Sequence, residues 1–215
     1  MTNSVRLVAI TKPVLDEITS SGEFVAFAAR VSNPANQYNS STSGRLLNYL
    51  REQKHWSPFE MAHAVFEIST TRDIARQILR HRSFSFQEFS QRYAQATEFQ
   101  LSDARRQDVK NRQNSIDDMD EETREWWNII QQEQIDRSER MYLAALHKGI
   151  AKECARKVLP EGLTMSTLYM AGSFRSWIHY LEQRCDPATQ LEHRVVAEAI
   201  REILRKEVPE VFGNA

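Results

Sequence analysis

The stretch 62–82 constrains the fold of this chain more than any other part of the sequence. Apolar and polar residues alternate over 62–70, which is the period of a strand with one buried face. Thr71 then caps a predicted helix over 72–82, whose isoleucines recur on one side. The sequence therefore predicts a sheet strand that leads directly into a helix.

The remaining pattern mixes strands and helices in no regular order. Short β-branched runs predict strands at 5–10 and 163–170. Because strands and helices do not alternate as in a parallel α/β sheet, we expect an α+β fold with a mixed sheet, in one domain over residues 1–215. The first further helix is predicted to begin at Pro13 and to end by Gly22. The other predicted helices cover 24–31, 45–55, 126–148, 152–159, 174–184 and 189–208. The last of them is expected to face the core with Leu191, Val195, Ala199 and Ile203.

Residues from about 102 to 125 differ in character from the rest of the chain. A basic run over 105–112 is followed by an acidic run over 117–122, and apolar residues are sparse. Such a segment is typical of an exposed excursion on the surface. We expect either a lid or a salt-bridged arm without a part in chemistry.

Length, charge and cysteine content exclude several classes of protein. The 215 residues carry a formal net charge of −1, whereas nucleic-acid-binding domains are usually basic. No apolar run reaches the ~20 residues that a membrane helix needs, and the first residues show no signal peptide. Two cysteines, Cys154 and Cys185, suit a reducing compartment. We therefore expect a cytoplasmic protein that binds neither nucleic acid nor a membrane.

A dense polar cluster lies at 80–93, with three arginines, one histidine, three serines and one carboxylate. Arg72, Arg76 and Arg80 also share a helix face, where each pair of like charges costs about 0.2–0.5 kcal/mol. Guanidinium groups match phosphate and carboxylate, so the cluster predicts a site for an anion. A solvated basic face is the alternative. The phenylalanines interleaved in the cluster, Phe84, Phe86 and Phe89, are expected to enter the core.

No familiar catalytic motif accompanies these arginines. Glycine-rich phosphate loops, the His-Glu-x-x-His metal motif and the Gly-x-Ser-x-Gly elbow are all absent from the sequence. A bound nucleotide must therefore be held by side chains, and no metal is expected. A serine nucleophile, Ser85 or Ser90 activated by His81, stays open at this stage, whereas Cys185 lacks neighbours that would activate its thiol.

The same cluster carries a long signature. Arg80-His81-Arg82, Ser85, Ser90 and Arg92-Tyr93 reproduce the pattern Arg-His-Arg-x-x-Ser-x-x-x-x-Ser-x-Arg-Tyr. This pattern resembles the signature of the flavin-dependent thymidylate synthases, the ThyX family. Further segments that resemble the family are Ala29-Arg30-Val31-Ser32, His55-x-Ser57-Pro58-Phe59-Glu60, Gln77-x-x-Arg80, Glu153-x-Ala155-Arg156-x-x-Leu159-Pro160, and Phe174-Arg175-Ser176-Trp177-x-His179 with Arg184.

The resemblance implies an activity, its ligands and an assembly. It implies a homotetramer with active sites between subunits, which converts dUMP to dTMP with methylenetetrahydrofolate as carbon donor. It implies FAD as the cofactor, reduced by NADPH, and a hydride from the reduced flavin rather than addition of an enzyme cysteine to the uracil ring. By the same resemblance, Arg184 is the catalytic residue and favours ionisation of the uracil N3, as a fixed guanidinium stabilises developing charge.

The resemblance also assigns binding residues. Gln87 and Ser173 depart from it, because many relatives have asparagine there, and Met61 stands where some have histidine. The residues implied to bind FAD are Ser57, Arg80, His81, Arg82, Glu88, Ser173, Phe174, Arg175 and His179. The residues implied to bind dUMP are Gln77, Arg80, Glu88, Phe89, Ser90, Gln91, Arg92, Arg156 and Arg184.

Two other functions stay open from the sequence. A non-enzymatic module would hold RNA or a nucleotide with the arginines and phenylalanines of 80–92, since aromatic stacking beside cations holds single strands. A flavoprotein with the same scaffold and a different acceptor would bind FAD without methylating dUMP. Flavin content and methyl transfer to dUMP distinguish the three functions.

Overall fold

The computed structural model describes residues 3–213 and contains a four-stranded sheet, a small hairpin and several helices. The strands are β1 (Ser4–Ile10), β2 (His63–Thr71), β3 (Ser85–Glu88), β4 (Arg106–Gln107), β5 (Ser115–Ile116) and β6 (Met165–Ser173). The helices are α1 (Ser21–Ala29), α2 (Ser43–Glu52), α3 (Arg72–Ile78), α4 (Glu121–His147), α5 (Lys152–Ala155), α6 (Phe174–Arg184), α7 (Leu191–Glu207) and α8 (Pro209–Phe212), with 3-10 turns at Pro34–Asn36, Ser40–Thr42, Ser57–Glu60 and Arg156–Val158.

The sheet has the strand order β1-β2-β6-β3, which places β2 and β6 at its centre. The predicted α+β fold is confirmed. The pairing differs from the expected mixed sheet, because β6 enters between β2 and β3 and pairs antiparallel with both, and β1 pairs antiparallel with β2. The direct passage from β2 into α3 is present as predicted, with the helix ending at Ile78.

The hydrophobic core lies between one face of the sheet and helices α3, α6 and α7. Ala64, Phe66 and Ile68 point into it from β2, as their alternation predicts. Trp177 of α6 packs edge-on against Phe66, with ring centroids 5.0 Å apart. Each fully buried side chain of this size stabilises the fold by about 1.5–3 kcal/mol relative to exposure. The core therefore holds α6 firmly against the sheet.

The helix predicted from Pro13 to Gly22 is wrong. Residues 13–20 form turns, and α1 begins at Ser21. Ser20 Oγ accepts a hydrogen bond from the Glu23 backbone N–H at 3.0 Å, and the Glu23 carboxylate accepts one from the Thr19 N–H at 2.7 Å. This reciprocal cap starts the helix at Ser21, which is eight residues later than Pro13 suggested.

The core face predicted for α7 is only partly correct, because Ile203 packs against the core whereas Val195 does not. Val195 is 44% exposed, and the buried side chains are instead His193, Val196, Ala197, Ile200 and Leu204. Both sets follow helical spacing, so the pattern alone does not choose between them. The structure turns the second face inward, where Val196, Ile200 and Leu204 are buried and the His193 ring is hydrogen-bonded.

The segment 102–125 is only partly the exposed excursion that was predicted. It contains the β4–β5 hairpin, and α4 begins inside it at Glu121, capped by Asp120. Its start is docked on two helices, because Ser102 hydrogen-bonds to Gln131 of α4 and Arg105 forms an ion pair with Glu192 of α7. Among residues 3–213, no helix is both long and apolar enough to cross a membrane.

Candidate functional site

The signature segment runs from α3, through the turn 79–84, to the sheet edge at β3. This turn is held against α6, since Ser176 Oγ donates to the Ser83 carbonyl at 3.1 Å. Phe84 is buried against Trp177 at a centroid distance of 4.6 Å. The arginines and serines of the signature are therefore presented on a rigid base.

His81 and Arg184 form a direct contact at the end of α6. Arg184 Nε donates to His81 Nε2 at 2.9 Å, and the His81 ring lies edge-on to Tyr180. Burial, reinforced by the charge of Arg184, lowers the pKa of His81 to about 4. His81 is consequently neutral with its Nε2 occupied, so it does not serve as a base for Ser85 or Ser90.

The turn Ser57–Glu60 packs against the beginning of α6. Arg175 Nη1 donates to Glu60 Oε1 at 2.7 Å. The hydrogen bonds from Arg175 and Ser173 lower the pKa of the Glu60 carboxyl. Ser173 itself is buried and caps α6, and Phe174 is fully buried against Phe212. The side chains of Arg175 and Glu60 reach the surface, whereas Ser173 and Phe174 do not.

His179 lies one helical turn beyond Arg175, on the same side of α6. Its ring stands edge-on to Trp56 at 4.5 Å, and its Nδ1 lies 3.7 Å from a Glu182 oxygen. The Ser57 side chain is exposed in the neighbouring turn. The predicted residues Ser57, Arg175 and His179 are thus brought to one surface.

Arg80 and Arg82 project from the turn after α3 and are exposed. Neither guanidinium has a hydrogen bond or ion pair within the described part of the chain. Two unpaired cations two positions apart, without a carboxylate partner, suit an anionic ligand.

Of the residues that depart from the family pattern, Met61 is 52% exposed and Gln87 is exposed on β3.

A second cluster surrounds a cavity of about 270 Å³. Gln91 is 4% exposed, and its Nε2 has no hydrogen-bond partner. An unsatisfied buried donor of this kind costs about 1–3 kcal/mol, which a ligand that accepts its hydrogen bond would recover. Arg76 contacts Glu161 as an ion pair at the rim. The lining residues are Arg72, Arg76, Gln91, Arg156, Lys157, Leu159, Glu161 and Thr164.

Glu88 connects this cluster to the sheet. Its Oε1 accepts hydrogen bonds from Ser166 Oγ at 2.8 Å and from Arg72 Nη1 at 3.3 Å. Arg92 forms an ion pair with Glu153 at 3.1 Å across a shallow groove. The carboxylate of Glu88 is therefore held by two donors, whereas Arg92 shares its charge with one exposed partner.

Phe89 does not enter the core, so the prediction that its side chain is buried there is wrong. Its side chain is 37% exposed, because β3 ends at Glu88 and the Phe89 N–H turns to bond the Thr167 carbonyl at 2.8 Å. Ser90, next in the chain, lines the groove beside Arg92 and Tyr93. Phe84 is buried and Phe86 is half-buried, as expected.

The predicted site residues form two groups within one chain. No hydrogen bond or ion pair among residues 3–213 joins one group to the other. The first group comprises Ser57, Gln77, Arg80, His81, Arg82, Ser173, Phe174, Arg175, His179 and Arg184. The second comprises Glu88, Phe89, Ser90, Gln91, Arg92 and Arg156.

The structure adds residues that lie outside the binding sets implied by the family resemblance. Arg72 and Arg76 line the cavity of Gln91, and their spacing on one helix face was the available signal. His193 contacts Gln77 from α7 at 3.3 Å, for which no local signal exists. Among residues 3–213, no group of three or more histidine, cysteine or acidic side chains is placed to hold a metal ion.

Together, the fold and the two groups of residues define an α+β protein with two arginine-rich candidate sites. Residues 13–210 match the family described as "Thymidylate synthase complementing protein", and the chain belongs to this family.

Relatives and solved structures agree with this assignment. A protein of Synechocystis sp. named "Flavin-dependent thymidylate synthase" is 54% identical over 213 residues, which covers 96% of each chain. One of Paramecium bursaria Chlorella virus 1, named "Probable flavin-dependent thymidylate synthase", is 50% identical over 209 residues, or 97% of this chain and 96% of that one. The crystal structure of the UMP/dUMP methylase PolB from Streptomyces cacaoi, bound with 5-Br dUMP, superposes with a TM-score of 0.85 at 26% identity, covering 98% of this chain and 93% of that chain.

Proposed function

We propose that this chain acts as a flavin-dependent thymidylate synthase, a methyltransferase that converts dUMP to dTMP. Methylenetetrahydrofolate supplies the carbon, and NADPH supplies reducing equivalents through FAD. The observation that carries the proposal is the cavity in which the unpartnered amide of buried Gln91 lies among arginines. The family and the names of its relatives at 50–54% identity support the same activity.

The second cluster fits the phosphate of dUMP. A phosphomonoester carries about two negative charges, which attract Arg156 while Gln91 donates its free N–H. Arg72 lines the same cavity and is paired with Glu88. Ser90 and Arg92 extend this surface along the chain. The dUMP-binding set that we propose is Gln77, Arg80, Glu88, Phe89, Ser90, Gln91, Arg92, Arg156 and Arg184.

The first group of predicted site residues, which includes Ser57, Arg80 and Arg82, suits the pyrophosphate and hydroxyl groups of FAD. The unpaired guanidinium groups of Arg80 and Arg82 suit its pyrophosphate, and exposed Ser57 supplies a hydroxyl donor. Arg175 and His179 stand beside them on α6. When bound, FAD supplies the hydride for the reaction. The FAD-binding set that we propose is Ser57, Arg80, His81, Arg82, Glu88, Ser173, Phe174, Arg175 and His179, in which buried Ser173 and Phe174 act by holding the start of α6.

Arg184 is proposed as the catalytic residue, because its charge is not cancelled. Its Nε is satisfied by neutral His81 rather than by a carboxylate. The two remaining nitrogens of the guanidinium have no partner among the described residues, so they are available to a ligand. A preorganised cation of this kind stabilises negative charge that develops on the pyrimidine ring and favours loss of the N3 proton.

We propose that the active protein is a homotetramer with active sites between subunits. The two groups of dUMP residues share no hydrogen bond or ion pair among the described residues, and we propose that residues of a second copy complete each site. Helix α4 supports association, since Trp126, Ile129, Met141 and Leu143 are 57%, 52%, 47% and 44% exposed. Several large apolar side chains exposed on one helix are typical of a surface that contacts another chain.

The assembly is tested with two impaired variants in one cell, assayed at a dUMP concentration at which each variant alone forms little dTMP. Co-expression of Arg184→Ala and Arg156→Ala chains creates some sites with both residues intact if sites are shared between subunits. Recovered dTMP formation in the mixed tetramer, with light scattering showing four chains, is the expected result. Mixed tetramers that stay as inactive as either variant alone would contradict shared sites.

We also propose that the chain works as one domain in a reducing cytoplasm. A single cluster of buried residues extends from Val25 of α1 to Phe212 of α8. Cys154 and Cys185 are free thiols, as a reducing compartment maintains them. Limited proteolysis that releases a stable half would contradict the single domain.

The decisive experiment is an absorbance spectrum of the purified protein, followed by anaerobic addition of NADPH and dUMP. A flavin spectrum that bleaches, then dTMP formation once methylenetetrahydrofolate is added, is the expected result. UMP serves as the comparison substrate, because PolB is described as a UMP/dUMP methylase. A colourless protein that takes up no FAD would overturn the proposal and favour a salt-dependent nucleic-acid module. Bleaching without any dTMP would favour a flavoprotein with another acceptor.

A further inference from the structure

His193 is a fully buried titratable residue that contacts the candidate site from α7. Its Nδ1 lies 3.3 Å from Gln77 Oε1, and its Nε2 lies 3.2 Å from the Tyr180 hydroxyl. The contact reaches across 116 positions of sequence. Since Gln77 belongs to the proposed dUMP-binding set, the orientation of its amide group matters for recognition.

The hydrogen-bonded chain continues outward from Gln77. Gln77 Nε2 donates to Gln190 Oε1 at 2.7 Å, and Gln190 Nε2 donates to Glu192 Oε2 at 3.1 Å. Arg105 Nη2 in turn donates to Glu192 Oε1 at 2.5 Å. A continuous series of hydrogen bonds therefore joins Arg105, at the start of the 102–125 segment, to the core.

The carboxylate of Glu192 sets the direction of every bond in this series. Burial is the largest single influence on Glu192 and acts to raise its pKa. The hydrogen bond and charge of Arg105, together with the hydrogen bonds from the Glu192 backbone and from Gln190, nevertheless lower the pKa overall, so the group is ionised and only accepts. Gln190 must then present its NH2 group to Glu192 and its oxygen to Gln77. Gln77 must likewise present its NH2 group outward to Gln190 and its oxygen inward.

The inner end of the series obeys the same logic. The Gln77 oxygen only accepts, so His193 must carry its proton on Nδ1. Burial, reinforced by the charge of Arg184, lowers the pKa of His193 to about 3, which keeps the ring neutral. Its Nε2 is then an acceptor, and the Tyr180 hydroxyl donates to it. All five bonds are thus satisfied in a single arrangement.

We propose that His193 and the Arg105–Glu192 ion pair are positioning elements that hold the Gln77 amide with its NH2 group toward the nucleotide. One Gln77 N–H bonds Gln190, and the other is left for an acceptor oxygen of the substrate. The reversed amide would present an oxygen to the oxygens of dUMP and repel them. This inference rests on the proposed function, in which Gln77 binds dUMP, and it gives the start of the 102–125 segment a role.

Two substitutions of His193 separate positioning from packing. In His193→Asn the amide nitrogen stands where Nδ1 was, so the donor to Gln77 is kept. In His193→Gln the amide stands where Nε2 was, so this donor is lost. Both variants lose the aromatic ring, and comparable losses of thermal stability are expected. His147→Gln, in the last turn of α4, is the control for a surface histidine.

The measurement is dUMP affinity by calorimetry on the FAD-loaded protein, together with KM and kcat. His193→Gln is expected to weaken dUMP binding about tenfold, the effect of one lost hydrogen bond, with the change in KM rather than kcat. His193→Asn and His147→Gln are expected to stay within about threefold of the parent protein. Nitrogen-15 chemical shifts of labelled histidine should show the proton of His193 on Nδ1.

Each outcome has a distinct meaning. Equal weakening by the Asn and Gln variants, or none by either, would overturn the positioning role while the parent protein still methylates dUMP. A proton found on Nε2 of His193 would overturn the stated direction of the series. A parent protein that binds no dUMP would overturn the proposed function itself, and the positioning role with it.

Discussion

Arg184 and His81, which lie 103 positions apart in the chain, form a hydrogen bond of 2.9 Å from the guanidinium Nε to the imidazole Nε2. The contact joins the end of α6 to the turn after α3. It leaves a full positive charge on Arg184, since its partner is a neutral ring whose pKa is lowered to about 4. The catalytic assignment of Arg184 depends on this pairing.

Replacement of Arg184 tests that assignment. We expect Arg184→Ala to lose about 10²- to 10³-fold in kcat, the typical cost of one preorganised charge-stabilising group, while flavin content and thermal stability change little. The pKa of His81 should rise when the neighbouring cation is removed. Arg6→Ala, on β1 and paired with Glu67 at the surface, is the control and should keep full activity. Turnover of Arg184→Ala at the level of the control would contradict the role.

Replacement of Arg156 tests the phosphate cavity. Loss of a charge-assisted hydrogen bond is expected to weaken dUMP binding roughly 10- to 100-fold. Deoxyuridine, which lacks the phosphate, should bind Arg156→Ala and the parent protein equally. The two Kd values are measured by calorimetry, with exposed Arg140→Ala of α4 as the matched control. If deoxyuridine binding falls as much as dUMP binding, Arg156 does not act through the phosphate.

Gly172 of β6 is expected to be intolerant of a side chain. A Cβ there would clash with Cδ1 of Phe84, whose ring is packed against Trp177. We expect Gly172→Ala to lower the free energy of unfolding by about 1–3 kcal/mol, measured in urea, because the ring must shift. Flavin content should fall as well, since Phe84 anchors the signature turn.

Gly44 of α2 is the matched control for this experiment. No heavy atom lies within 4 Å of a Cβ built there. Gly44→Ala is expected to be neutral or to stabilise the protein by about 0.4–1 kcal/mol, because the unfolded chain loses freedom. Equal unfolding free energies for the two variants would show that Phe84 moves away at no cost.

The two buried histidines predict acid sensitivity. The folded pKa values of His81 and His193, about 4 and about 3, lie below their ordinary value of 6.5. As pH falls below about 6.5, the unfolded chain binds protons that the folded chain does not, so stability decreases toward pH 4 and is fully present above 6.5. Urea unfolding between pH 7.5 and 5 measures how steeply the free energy of unfolding falls with pH. This dependence should be weaker in His193→Gln, which has one buried histidine fewer. A flat profile over this range would contradict the prediction.

Much of the fold was accessible from local sequence patterns. The alternation in β2, the threonine that precedes α3 and the order of later helices each involve residues close together in the chain. The candidate site residues were also predicted from short segments, because the signature at 80–93 that carries the family resemblance places arginines and serines at fixed spacings. The start of α1 was missed although its cap, Ser20 with Glu23, is local too, because Pro13 was the more conspicuous signal.

The relations among distant residues were decided by the tertiary structure alone. The α7 sequence offers two helical faces of similar quality, and only the packing of Val196, Ile200 and Leu204 in the core shows which is buried. Burial of Phe174 and exposure of Phe89 likewise depend on where β3 and β6 end. By itself, then, the sequence determined which residue types are present and which local elements they form. Tertiary structure decided which of them meet, because hydrogen bonds and packing across 100 or more positions leave no periodic trace in one sequence.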